Sequence, residues 1–439
     1  MTINYLLKIR FIWNFIINVR WTLRAGEKDK KVKKIVFILF FGVIISNLFC
    51  EVDLYSSADK ETREIINKAD KLVEEKKYET AFHYLSEKNS NEYIIAKKTD
   101  ICLNYFVQSM MHQMFALKDL NRNEEIDQLR GSKGTYTLIK YDPVSIIQEY
   151  EARTKKSYPI LNKALGDYYY EVNLRYNGRW IVSDSEIKEL AVKNYDLAYT
   201  NNCFTSISLA NYAELLLYQG NYQKSIELYE QALKQNNELI NAHYNLAIAY
   251  LNTKNYKLAI EEAEIANRIY DKNIQYKMDA LLLCSDISFL DNQPLKAIGY
   301  LEQGLKYTEQ DYRFFKKLNK ICLSIGDTQK ANINADKLFA LFPTNPAATQ
   351  IVMDNYLSTD KSDELILFFN RNIEKFSNKN EILGNLYFHF AYFYNSIDKE
   401  AVLKYAKLSR EEFQKAGKYT SEIQNAIEQL IGNENSPNN

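Results

Sequence analysis

Four histidines (His83, His112, His243 and His389) and five cysteines are the side chains best suited to nucleophilic, redox or metal chemistry. Their spacing supports none of it. No His-Glu-x-x-His pair sets two imidazoles on one helix face, no Cys-x-x-Cys occurs, and no cysteine clusters with a histidine. Gly-x-Ser-x-Gly and Gly-x-Gly-x-x-Gly are missing too, and Gly131-Ser132-Lys133-Gly134 lacks the spacing of a phosphate loop. Acid pairs such as Glu261-Glu262 are neighbours in sequence and point apart on a helix, as solvated residues do. The expectation is a protein that is not an enzyme and uses no cofactor or metal. His243 reads as a packing or groove residue, and Cys102, Cys284 and Cys322 as small buried apolar residues.

Composition indicates what must position the rest. Among 439 residues only 13 are Gly and 6 Pro, while Leu, Ala, Glu and Lys run in long unbroken stretches, which favours helix. The 34 tyrosines supply rings for helix interfaces and hydroxyls that reach their wet edges. Formal charge sums to zero but is unevenly spread. Residues 1–34 hold nine basic side chains against Glu27 and Asp29, so the remainder is net acidic and has no general attraction for phosphate backbones. No nucleic-acid partner is expected.

The basic run Lys28, Lys30, Lys31, Lys33, Lys34 leads into Ile35 to Cys50, a stretch without a charge. A positive flank before an apolar segment is held on the cytoplasmic side, so the chain beyond Cys50 is expected outside the cytoplasm, in the periplasm or cell envelope. The segment is short for a transmembrane anchor and long for a signal peptide, and both readings stay open. Ser56 and Ala58 supply a small-x-small pattern that places a cut after Ala58. Phe49 speaks against lipidation of Cys50. Residues 1–24 mix apolar and basic positions that suit a membrane surface, or they precede a true start near Val32.

A repeat organises the body. Ala191, Ser225 and Ala259 are spaced by 34, and Ala297 and Ala331 resume that spacing after a slip. Four residues beyond come Tyr195, Tyr229, Ala263, Leu301 and Ala335, and three further Ala198, Ala232, Ala266, Gly304 and Leu338. Steps of four and three fall on one helix face. A preceding helix is marked by Leu165-Gly166 with Tyr169, Tyr212-Ala213 with Leu216, Leu246-Ala247 with Tyr250, and Leu318 with Cys322. Turns are expected at Gly220-Asn221-Tyr222, Lys254-Asn255-Tyr256, Asn292-Gln293-Pro294 and Gly326-Asp327-Thr328, with Pro343 closing a repeat.

These positions resemble the tetratricopeptide repeat family, whose Leu-Gly-x-x-Tyr, Ala-x-x-x-Phe and Pro recur at the same period. Residues 206–273 match best, with Leu209 and His243 where the family has Trp and Cys284-Ser285 where it has Leu-Gly. The resemblance implies an all-α, α-α superhelical solenoid of antiparallel helix pairs. It further implies that the inner face of each first helix lines a groove for another protein or peptide. Carried onto this chain, that groove is Ala210, Asn211, Glu214 and Leu217, then Tyr244, Asn245, Ile248 and Leu251. Asn211 and Asn245 match an amide position that bonds a partner's backbone, whereas the family's carboxylate-clamp cations are not matched.

The organisation read from these signals is a basic segment over 1–34, an apolar signal or anchor helix over 35–50 and a helical region with weak repeat character over 51–157. Helix-pair repeats over 158–345 come next, then degenerate repeats over 346–431 and a disordered tail over 432–439. Phe106 to Ser157 breaks the period, with a loop or short extended piece at 135–140 and helix resuming at Asp142-Pro143. Glu171 to Ser183 reads as a hairpin or loop inserted between the helices of one pair, with Ser183 to Glu186 as the capping box that restarts helix. The function expected is a protein-protein interaction scaffold on the extracytoplasmic side of a membrane. The rivals are an accessory subunit of an envelope transport or assembly complex, and a cell-wall or ligand-binding activity within 90–157.

Overall fold

The structure, a computed structural model, describes residues 53–132, 134–308 and 310–432. The basic head, the apolar Ile35–Cys50 stretch and residues 433–439 lie outside them. No described helix is long and apolar enough to cross a membrane. The chain forms two compact units: one runs through Gln219 and takes in Glu227–Leu239, the other combines Gly220–Ile226 with Ile240 onward.

In the first unit α1 (Lys60–Glu74), α2 (Tyr78–Ser86) and α3 (Glu92–Asn104) precede a small sheet of β1 (Phe106–Met110), β2 (Met114–Leu117) and β3 (Ile139–Lys140), with the short α4 (Ile126–Leu129) between β2 and β3. Next come α5 (Pro143–Thr154), α6 (Pro159–Tyr176), α7 (Asp184–Thr200) and α8 (Ser206–Tyr218), and then α9 (Tyr222–Gln235), whose first residues belong to the other unit. Helix starts follow their caps: Asp59 accepts from the Thr62 amide, Asn91 from those of Tyr93 and Ile94, and Asp142 from Val144 with Pro143 in the first turn.

The sheet corrects the all-α expectation. Of 135–140 only Ile139–Lys140 is strand, paired with Met114 and Phe115, and the β1–β2 hairpin stands where no strand was expected. Its sequence hides it, because both central turn residues, Met111 and His112, are left-handed (φ 51° and 49°) without the Asn or Gly that usually marks such a turn. A second correction concerns 171–183. Glu171 to Tyr176 simply continue α6, and the remaining link is short. Its Trp180 packs on the unit's core, 5.4 Å from the Tyr176 ring, because an indole is too apolar to leave in water. Ala58 is buried and Leu54 and Tyr55 pack against α3, α5 and α6, so a cut after Ala58 would strip these side chains from the folded unit.

The second unit continues with α10 (Ile240–Asn252), α11 (Tyr256–Ile269), α12 (Ile274–Leu290), α13 (Pro294–Leu305), α14 (Tyr312–Ser324), α15 (Thr328–Leu341), α16 (Pro346–Leu357), α17 (Ser362–Lys375), α18 (Asn380–Tyr394), α19 (Lys399–Lys415) and α20 (Ser421–Gly432). Links of a few residues force paired helices to reverse direction. Each expected turn begins with a left-handed residue: Gly220 (φ 80°), Lys254 (60°), Asn292 (54°) and Gly326 (78°). The following amide then reaches back across the helix end, Asn255 to the Tyr250 carbonyl at 2.9 Å, Gln293 to Ser288 at 2.8 Å and Asp327 to Cys322 at 2.9 Å. Lys76 and Asp360, which carried no turn signal in the sequence, do the same, with Lys77 bonded to Leu72 and Lys361 to Tyr356.

All fifteen small and bulky positions of the 34-residue pattern are buried, from Ala191 to Leu338. Close approach is enforced where a side chain is absent: a Cβ on Gly166 would sit 2.5 Å from the Tyr195 ring, and one on Gly384 2.8 Å from Phe413. Polar bonds in the second unit link successive repeats at separations of 34 or 36 residues. Asn355 donates to Asn319 Oδ1 at 2.9 Å, Asn385 to Thr349 Oγ1 at 3.1 Å, Asn372 to Asp336 at 2.9 Å and Arg313 to Asp279 at 2.6 Å, so each tie joins one repeat to the one before it.

Candidate partner-binding faces

The expected groove residues fall on two helices in different units. On α8, Ala210, Asn211 and Glu214 are half-buried. Leu217 is buried, 6% exposed beside the likewise buried Leu215 and Leu216, and offers no contact surface, which corrects its place in the groove. Asn211 Nδ2 lies 3.5 Å from the Tyr195 hydroxyl, a long bond, and that hydroxyl donates to Asp167 Oδ1 at 2.8 Å. Lys163 Nζ sits 2.7 Å from the other oxygen of Asp167. The Asn211 amide is thus the end of an internal chain. Tyr170 donates to Glu214 Oε2 at 3.1 Å, and burial holds that carboxyl above the ordinary range although the Tyr170 bond opposes it. Tyr218, one turn on, is 73% exposed and extends this face with a large ring.

On α10, Tyr244, Asn245, Ile248 and Leu251 are all half-buried, while His243, Leu246, Ala247 and Tyr250 are buried. His243 Nδ1 meets Glu262 Oε2 of α11 at 2.6 Å, so the histidine fastens the helix pair. Tyr244 rests against Ala266, Tyr270 and Ala280, and the Tyr270 hydroxyl donates to Asn241 at 3.0 Å. The face left by this packing is apolar along Tyr244, Ile248 and Leu251, with one amide at Asn245.

A charged face further along the second unit lay outside the groove expected from sequence. α14 carries Arg313, Lys316, Lys317 and Lys320, spaced by three, one and three so that they share one side of the helix. Arg313 is bound to Asp279 of α12 at 2.6 Å and to Asp311, and Lys317 to Asp286 of α12. Lys316 and Lys320 are exposed and have no ion pair among the described residues. The 3,1,3 spacing was legible, but which two cations α12 neutralises was not.

The nearest approach to catalytic chemistry is the β1–β2 turn, where Ser109 Oγ lies 2.8 Å from His112 Nδ1 and 3.3 Å from the Tyr176 hydroxyl. His112 is fully buried, and burial with the nearby Arg175 and Arg130 lowers its pKa to about 3. An imidazole that refuses a proton so strongly is a poor general base. The described cysteines fare no better as nucleophiles, since burial raises Cys203 and Cys322 to about 11 and Cys284 to about 12. No group of histidine, cysteine and carboxylate side chains able to hold a metal occurs among the described residues.

Residues 213–274 match the sequence model of the tetratricopeptide repeat, so the chain carries tetratricopeptide repeats. The solved structures it is similar to include the tetratricopeptide repeat protein YrrB, described as having an unusual peptide-binding site. That match is 19% identical and covers 44% of this chain and 97% of that one, at TM-score 0.32. Pseudomonas aeruginosa PilF is 14% identical, covering 50% and 96% at TM-score 0.36. A tetratricopeptide repeat protein of Parabacteroides merdae is 17% identical, covering 60% and 98% at TM-score 0.37. No curated protein matches the chain.

Proposed function

We propose that this protein is a scaffold that holds a segment of another protein against the first-helix faces of its repeats, on the extracytoplasmic side of a membrane. The observation that carries the binding role is the face of α10, where Tyr244, Ile248 and Leu251 stay half-buried inside the residues that match the family. Apolar side chains left partly wet at helical spacing gain free energy when a partner covers them, roughly 25 cal/mol per Å². The basic head and the uncharged Ile35–Cys50 stretch after it support export or anchoring, and the net acidic remainder disfavours nucleic acid.

A photo-crosslinking residue at Ile248 is expected to trap a discrete protein adduct in living cells, whereas the same residue at Lys257, exposed on α11, traps none. Equal adducts from both positions, or none from Ile248, would overturn the binding role. Protease added to cells with a permeabilised outer boundary is expected to digest the repeats; protection until the inner membrane is breached would overturn the location.

A further inference from the structure

We infer that the outward stripe of α14, formed by Tyr312, Lys316 and Lys320, receives an acidic segment of a partner protein with an apolar side chain beside its carboxylates. This rests on the scaffold reading and names the chemistry of one part of it. Of the four cations on this helix, Arg313 is paired with Asp279 and Asp311 and Lys317 with Asp286, which leaves Lys316 and Lys320 as the two without an ion pair among the described residues. These two are a single helical turn apart, so carboxylates about 6 Å apart meet both at once.

The same stripe continues to Tyr312, four residues before Lys316, which is 41% exposed. Its ring lies 6.5 Å from that of Phe342, itself 47% exposed, giving an apolar shoulder next to the cations. The neighbouring helix α16 offers one acid, Asp354, and the Gln350 amide donates to it at 2.8 Å, which lessens its repulsion of an incoming carboxylate. The stripe is held in place from behind. Asn355 donates to the Lys316 carbonyl at 3.0 Å and to Asn319, and Phe314, Phe315 and Leu318 are buried beneath it.

The test uses the full chain and a short fluorescent peptide of Glu, Leu and Trp with an amidated C-terminus. Controls are its Lys-for-Glu counterpart, the same acidic peptide with a free terminal carboxylate, and oligothymidylate. The acidic peptide is expected to bind, to weaken as salt rises, and to lose about tenfold in affinity in Lys316→Glu/Lys320→Glu, two exposed changes that leave the core alone. Lys257→Glu/Lys272→Glu, with the same change in net charge, is expected to bind as the parent does. Binding of the lysine peptide as tightly as the acidic one, equal losses in both double variants, a requirement for the free terminal carboxylate, or tighter binding of oligothymidylate would each overturn the inference. Adducts from Ile248 are read independently, so the scaffold role can stand while this assignment falls.

Discussion

His112 shows how one side chain can bind fold to solution conditions. Folded, it stays neutral down to about pH 3; unfolded, it takes its proton near the ordinary 6.5. Between those values the unfolded chain binds the extra proton, so the site's stability is intact above pH 6.5 and is lost as pH falls, at about 1.4 kcal/mol per pH unit. His389 is depressed in the same direction by burial. We expect the melting temperature to drop between neutral pH and pH about 5, and His112→Asn, which tolerates the left-handed turn, to show a shallower drop. Identical slopes in the two proteins would remove His112 from the account. Nothing in the sequence announced this residue: its burial depends on a hairpin whose turn is built from Met and His, and a lone histidine among apolar residues looks the same exposed or enclosed.

At the scale of the element, the turns between paired helices are the sharpest test. Lys254 holds a left-handed backbone that strains any residue with a Cβ, while its amide-to-carbonyl bonding serves glycine equally well. Lys254→Gly is therefore expected to stabilise the protein by about 0.5 to 1 kcal/mol, seen as a higher denaturation midpoint. A lower midpoint would mean that the side chain contributes more than the strain removes. These turns were legible because Gly, Asn and Lys-Asn fall at a fixed place before each second helix. Asp360 and Lys76 were not, since Thr-Asp-Lys and Lys-Lys carry no such signature even though the chain bends there identically. The helix pairs from α6 through α15 were likewise readable from their small residues, because only Ala, Ser or Gly allows two helices so near, as Gly166 against Tyr195 shows. The candidate face was readable only in outline. Helical spacing located Tyr244, Ile248 and Leu251, but could not tell that Leu217 is covered or that α12 claims Arg313 and Lys317.

For the whole molecule, the repeat predicts where damage is worst. Ala259 has no exposed surface, so Ala259→Arg must either displace its neighbours or bury an unpaired charge, and a loss of a few kcal/mol is expected, measured as a fall in melting temperature. An unaltered melting temperature would contradict the register. The ties of the second unit carry a different consequence. Asn355 to Asn319, Asn385 to Thr349 and Asn372 to Asp336 each span one repeat and none spans two. Loss of a whole 34-residue repeat would put Glu302 where Asp336 now meets Asn372 but Phe315 where Thr349 meets Asn385, so one tie would re-form and the other would lose its acceptor. Length is in this sense adjustable in fixed increments where the acceptor is restored, as Glu302 would do for Asp336, and a reach suited to a larger or smaller client elsewhere asks for a compensating change of acceptor.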